Sequence, residues 1–429
     1  MNIVIIGNGI TGITTARNIR KLRSDAQITV ISAESDHFFS RTALMYIYMG
    51  QMKFEHTKPY EDWFWEKNKI KLVKGYVQNV DPELKTITLQ DGRTILYGIL
   101  IIASGSKSNK FKWPVQDMKG VQSLYSIQDL EAIETYTQNI SAAVIVGGGL
   151  IGIEMAEMLL SRKIPVTLLV RENAYWGNIL SPEEAGLIGR HIREHGIDLR
   201  LNTELKEVLP DEQGRARAIV TNSGENINCQ FVGLTTGVSP NIKFLENSGI
   251  ETEQGILVNE YFETNIPCIY AAGDCAQFRQ PKPDHPDIEQ LWYTGKMQAE
   301  TLAKTICNHK TAYQRGIWFN SAKFLDIEYQ SYGLMLPILN EVQDSFYWEH
   351  HNGKIAFRVT YNKTDRTLIG LNFLGIRFRQ IIADHWIRNQ KTVDYAIQNL
   401  AMGWFDPEFT EPHYRDIALA FSTVMSPKL

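Results

Sequence analysis

Two stretches of the chain share one pattern of apolar and polar positions. Residues 3–16 read IVIIGNGITGITTA and residues 142–160 read AAVIVGGGLIGIEMAEMLL. In each, an unbroken apolar run meets a G-x-G-x-x-G turn, and apolar residues then recur at helical spacing. Short continuous apolar runs closed by glycine turns are strands buried on both faces. Each stretch therefore predicts a strand, a tight turn and a helix, the helices ending near Leu22 and Ser161. A second apolar run follows each helix, QITVIS in one case and PVTLLV in the other. Then come the hairpins KTITLQDGRTILYG and ARAIVTNSGENINCQ, turned at Asp91-Gly92 and Ser223-Gly224, and the closing strands ILIIASGS and FVGLTTG. Five elements in the same order make two modules on one plan, alike in architecture and scarcely at all in sequence. Strands alternating with helices predict an α/β fold with parallel sheets.

The pattern changes from about residue 321. DSFYWEH, KIAFRVTY and TLIGLNFLG read as antiparallel strands, the first pair turned at Asn352-Gly353. IRFRQIIADHWIRNQ carries apolar residues at Ile376, Ile381, Ile382, Trp386 and Ile387, which predicts an amphipathic helix.

The glycine turns bring chemistry. The first glycine permits the tight turn, the second lets the backbone approach a pyrophosphate, and the third lets helix pack on strand. The helix N-terminus then offers unpaired N–H groups and the positive end of its dipole. Gly7, Gly9 and Gly12 fill these roles in the first module, and Gly147, Gly149 and Gly152 in the second. Two such turns predict two dinucleotides, one held tightly and one exchanging.

Composition narrows the setting. A chain of 429 residues, 44% hydrophobic and 21% charged, is an ordinary globular protein of two or three domains. The net charge of −4 and the absence of a long basic run argue against nucleic acid as a partner. No apolar stretch approaches the roughly 18 residues that span a bilayer. The chain opens on strand-like NIVIIG without the features of a signal peptide. Its four cysteines are scattered, with no CxxC, which suits a reducing cytoplasm.

A third stretch, TNIPCIYAAGDCAQF at 264–278, resembles the second FAD-binding motif of the pyridine nucleotide–disulfide reductase superfamily. LIIASGS resembles the same superfamily's ATG motif, with Ser104 in the threonine's place. Where the disulfide reductases and NADH oxidases carry cysteine, this chain reads HFFSRTALMYIYMG, so no thiolate is available there as a nucleophile. FSRTAL is similar instead to the Y-x-R-x-x-L segment of the rubredoxin reductase, ferredoxin reductase and apoptosis-inducing factor branch. WFNSAKFLDIEYQSYG and EQLWYTGKMQAETLA resemble that branch's aromatic segment and its helix beside the flavin.

The resemblance implies two Rossmann-like, glutathione-reductase-type dinucleotide-binding domains and a C-terminal α+β interface domain. Residues 1–115 and 242–320 would form a discontinuous FAD domain, 116–241 the NAD(P) domain, and 321–429 the interface domain, which often makes a homodimer. For FAD it implies Gly7, Gly9, Thr11, Gly12, Glu34, Arg41, Val77, Ala103, Ser104, Gly105, Gly273, Asp274 and Trp292. Glu34 would meet the adenine-side ribose, in place of an acid at Ser32; Arg41 would lie against the pyrophosphate, and Asp274 would bond a ribityl hydroxyl. For the nicotinamide dinucleotide it implies Gly147, Gly149, Leu150, Ile151, Gly152, Arg171, Glu172 and Gly237. Several members pair the glutamate found here as Glu154 with a lysine at the reacting edge of the flavin. That lysine position holds Tyr46, so Glu154 and Tyr46 are the candidate catalytic side chains.

The nicotinamide stays open. Val170 followed by Arg171 resembles the NADPH pattern, since a guanidinium can grip a 2′-phosphate bidentately. Glu172 and Gly152 suit NADH. The acceptor is open as well: a rubredoxin- or ferredoxin-like protein leads, with a quinone or oxygen as the alternative and a redox-controlled interaction switch as the non-enzymatic one. Arg377, Arg379 and Arg388 form a basic group suited to an acidic carrier or a membrane surface, or else a solvated helix face.

HIREH at 191–195 places two histidines on one helix face at a metal-ligand spacing. The Ser181-Pro182-Glu183-Glu184 start and the Gly196 stop mark an ordinary helix, and no acidic ligand can be picked out downstream. No metal site is expected. His350-His351 reads as an exposed hairpin end.

Overall fold

The computed structural model describes residues 1–109, 117–282, 285–406 and 408–425. The chain is mixed α/β and divides into two compact units. One comprises Met1–Phe111, Ser123–Thr135 and Gly237–Arg315, and the other the remainder. The expected domain boundary at 115/116 lies outside the described residues.

In the first unit the strand Asn2–Ile6 is the centre of a five-stranded parallel sheet. Gln27–Ser32 and then Ile70–Lys74 lie on one side, Ile99–Ile102 and then Ile269–Ala271 on the other. Alternation along the central strand sends Ile3 and Ile5 to one face and Val4 and Ile6 to the other. Ile3 and Ile5 join Ile13, Ala16 and Ile19 of the helix Ile10–Leu22 and Leu302 of the helix Trp292–Ile306. Val4 and Ile6 join Val80, Ile87 and Leu89 of the hairpin sheet, turned where Gly92 takes φ +85°.

The second unit repeats the plan. Ala143–Val146 is central, with Val166–Leu169 and Asp198–Arg200 on one side and Phe231–Leu234 and Val121–Gln122 on the other. In both sheets the strand entering the glycine turn is flanked by the second and the closing strands of its own module. The same unit carries a five-stranded antiparallel sheet, in the order Phe319–Phe324, Ile327–Gly333, Leu368–Leu374, Ala356–Asn362, Gln343–Glu349.

One expectation is corrected. The helix expected from Ile376 spans only Gln380–Arg388, and Ile381 is 72% exposed on it, whereas Ala383 and Trp386 are buried. Phe378 bridges to Trp404, and the Arg379 N–H donates to the Gly403 carbonyl. This holds the preceding residues extended and delays the helix start; Ile382, Trp386 and Ile387 pack on the core as expected, and Ile381 faces solvent. The basic group is also largely neutralised, since Arg377 is bonded to Glu328 and Arg388 to Asp384. Among the described residues no helix is long and apolar enough to cross a membrane.

Candidate functional site

The two glycine turns match position by position. At Gly7 (φ +108°) a Cβ would stand 2.0 Å from the Ala103 carbonyl oxygen, and at Gly12 it would stand 2.0 Å from that of Gly7. At Gly147 (φ +128°) and Gly152 the corresponding distances are 2.4 Å to the Thr235 carbonyl oxygen and 2.3 Å to that of Gly147. At Gly9 and Gly149 a Cβ would meet nothing within 4 Å. The outer glycines are thus required by the protein's own packing. The middle ones are not, and each is the N-cap of a helix whose start has no side-chain cap. Orphan N–H groups beside open space form an anion-binding cradle.

Thr11, on the first helix, is buried in packing: a Cβ at Gly273 or Gly295 would come within 2.5 or 2.7 Å of its hydroxyl. Around this turn the first unit gathers polar groups from distant parts of the chain. Arg41 donates to both oxygens of Glu34, at 2.9 and 2.5 Å, and also to the Tyr125 carbonyl. Glu34 accepts a further bond from the Ile127 N–H at 3.0 Å. The acid expected at a ribose and the arginine expected at a pyrophosphate are therefore paired to each other, with the guanidinium 4.4 Å above the Tyr125 ring. The Tyr125 hydroxyl accepts from the Ser106 N–H, and the Ser106 hydroxyl donates to Asp274 at 3.1 Å and accepts from Gln290 at 2.9 Å. Burial pushes the Asp274 carboxyl above its usual range, with Ser106 and Arg41 opposing. It also pushes the Tyr125 phenol up to about 12.

The other candidates of this unit are more scattered in role. Ala103 is buried, and the Ser104 hydroxyl donates to the Asn241 carbonyl at 2.8 Å. Gly105 takes φ +68° close to the Tyr125 hydroxyl. Val77 packs into the apolar core under the hairpin sheet. Trp292, 39% exposed, opens its helix with its ring edge to Tyr293, and Tyr46 is half-buried on the short helix Leu44–Tyr48. Gly237 belongs to this unit, where its carbonyl accepts from the Asn109 N–H. Ser106, Tyr125 and Gln290 were not foreseen. Ser106 ends the LIIASGS segment and Gln290 lies in EQLWYTGKMQAETLA, but only tertiary contacts bring them together with Tyr125.

In the second unit Leu150 and Ile151 are half-buried at the helix start, and the buried Tyr175 donates to the Gly149 carbonyl at 2.9 Å. Arg171 is 75% exposed and paired with Glu172 at 2.7 Å, just past the second strand. Burial, aided by Glu157, pushes the Glu154 carboxyl up to about 7. The nearby cation, Lys323, bonds Glu157 instead, at 2.8 Å.

All four cysteines are free thiols, and three are buried. HIREH does form the end of a capped helix, Pro182–Glu194. The acid that could not be picked out in the sequence is Asp326, which stands against both His191 and His195. It comes from a strand turn far along the chain, where no spacing rule would find it.

The chain thus carries two strand–turn–helix modules built on one plan. Residues 1–299 match the family model described as pyridine nucleotide-disulphide oxidoreductase. The chain is 31% identical over 407 residues to the NADH-rubredoxin oxidoreductase of Clostridium acetobutylicum, a match covering 93% of this chain and 99% of that protein. The crystal structure of NADH:rubredoxin oxidoreductase from the same organism superposes with a TM-score of 0.72 at 25% identity, over 93% of this chain and 99% of that one. A nitrite reductase [NAD(P)H] of Bacillus subtilis is 29% identical over 335 residues, which are 77% of this chain but only 40% of that protein. The chain belongs to the pyridine nucleotide-disulphide oxidoreductase family, and is an oxidoreductase.

Proposed function

We propose that the chain binds FAD in its first module and NADH or NADPH in its second, and passes electrons to a rubredoxin- or ferredoxin-like protein. The observation that carries this reading is the duplicated turn. In each, two glycines are demanded by backbone contact and one opens on free space at an uncapped helix start. The domains proposed are 1–115 with 242–320 for FAD, 116–241 for NAD(P), and 321–429 as an interface domain of glutathione-reductase type.

The residues of the first unit fit a flavin dinucleotide. Gly7, Gly9 and Gly12 would hold its pyrophosphate, with Arg41 supplying the positive charge and Glu34 a ribose acceptor. Asp274 is a carboxylate in a desolvated place with a single hydroxyl donor, a group suited to a ligand hydroxyl. When bound, the flavin supplies two-electron acceptance from a nicotinamide and stepwise electron release, which no side chain here offers. The second turn would hold the nicotinamide dinucleotide, with Arg171 favouring a 2′-phosphate and Glu172 a 2′-hydroxyl.

A protein acceptor is supported by the printed name of the Clostridium relative and by the lack of a thiol pair for disulfide chemistry. Free cysteines support the cytoplasm as its compartment. The test is turnover of NADH or NADPH with a purified rubredoxin, a ferredoxin, a soluble quinone or oxygen as sole acceptor. Fastest turnover with an iron or iron–sulfur protein is expected; turnover confined to quinone or oxygen would replace this reading.

A further inference from the structure

His191 and His195 end the helix Pro182–Glu194, and the turn between the strands Phe319–Phe324 and Ile327–Gly333 delivers Asp326 to them. We propose that these three side chains bind a borderline divalent cation of the Zn²⁺ type, through both histidine Nε2 atoms and the Asp326 carboxylate. One ligand atom from each lies within 4.8 Å of the others, close enough to share one ion.

Three features favour a ligand set over a simple ion pair. The His195 Nδ1 lies 2.9 Å from the His191 carbonyl oxygen and donates to it, which orients the ring with Nε2 3.4 Å from Asp326. Such a backbone bond on the far nitrogen is how ligating histidines are oriented. The His191 side chain is fully buried, and its Nε2 faces the Asp326 carboxylate. A buried imidazole nitrogen and a partly exposed carboxylate brought to one point offer a cation two ligand atoms. Finally, Leu325 adopts φ +58°, an uncommon conformation for leucine, in the turn that aims Asp326.

Two nitrogens and one oxygen suit Zn²⁺, Co²⁺ or Ni²⁺ rather than Ca²⁺ or Mg²⁺. Asp326 is 56% exposed, so water can complete the coordination. The ion would tie the helix of the nucleotide module to the first turn of the C-terminal sheet. Lys354 competes for it, lying 3.1 Å from the other Asp326 oxygen.

The test uses the tag-free protein with its flavin, stripped by a chelator and titrated with Zn²⁺ against a competing dye. In parallel, Co²⁺ is followed by its visible ligand-field bands. One equivalent with a tetrahedral or five-coordinate Co²⁺ spectrum is expected. His195→Gln and Asp326→Asn, both at exposed positions, should each weaken binding at least about tenfold. Lys354→Met should tighten it, and His350→Gln should leave it unchanged. No binding in competition with the dye would overturn the site. So would binding that survives both ligand variants, or that is lost in His350→Gln, which would move the ion to the histidines at 350, 351 and 413.

Discussion

Arg41 holds both carboxylate oxygens of Glu34, at 2.9 and 2.5 Å, while its face lies 4.4 Å above the Tyr125 ring. One guanidinium thus joins the loop after the second strand to the segment leading into the helix Ile127–Tyr136, whose first residue donates its N–H to Glu34.

Removing Arg41 should weaken flavin retention more than it harms the fold. Arg41→Ala loses charge-assisted hydrogen bonds worth roughly 1.5–3 kcal/mol, or about ten- to a hundredfold in FAD Kd. Arg41→Lys should recover little, because an ammonium cannot reproduce the fork or the stacking. Fluorescence titration of the apoprotein with FAD measures both.

The three glycines of each turn should separate by phenotype. Gly147→Ala drives a Cβ onto the Thr235 carbonyl at a positive φ, costing about 1–3 kcal/mol in strain alone and lowering Tm. Gly149→Ala meets open space and should leave Tm nearly unchanged. It should instead raise the KM for the nicotinamide about tenfold, a loss of about 1.4 kcal/mol of binding. Equal Tm losses in both variants would remove the ligand-facing role of Gly149.

Glu154 gives stability a pH slope of definite sign. Its folded pKa of about 7 lies above the ordinary 4.5, so between these values the folded state keeps a proton that the unfolded chain has released. The contribution is complete below about pH 4.5 and is lost as pH rises through about 7. Urea midpoints measured across this range should fall more steeply for the wild type than for Glu154→Gln.

In the helix Gln380–Arg388 two of the apolar residues should behave oppositely. Trp386→Ala empties a buried position and should cost roughly 3–5 kcal/mol. Ile381→Lys, at a 72% exposed position, should change stability by no more than about 0.5 kcal/mol.

That helix also marks where the sequence misleads. The spacing of Ile376, Ile381, Ile382, Trp386 and Ile387 predicts one amphipathic helix, and the last three do pack on the core, but the helix start is set by tertiary bonds from Phe378 and Arg379 that no local pattern announces. The duplicated strand–turn–helix units and the turns at Gly92, Gly224 and Gly353 were legible, because apolar runs and positive-φ glycines are local signals. Glu34 and Arg41 were legible singly; their pairing was not. Tyr125, Ser106, Gln290 and Asp326 stayed hidden because each reaches its partners only through the fold. The same physics limits the reading of Arg171 and Glu172. They neutralise each other on the surface, and residue identity cannot say which one a nucleotide would displace.

Whether a nicotinamide reduces a flavin held by this chain is decided by an anaerobic titration of the yellow protein with NADH and then NADPH, followed at the flavin's visible band. Rapid stoichiometric bleaching by at least one of them is the predicted result, with NADPH assigning Arg171 its role and NADH favouring Glu172. A protein that retains its flavin, yet is bleached by neither nucleotide, would contradict the account.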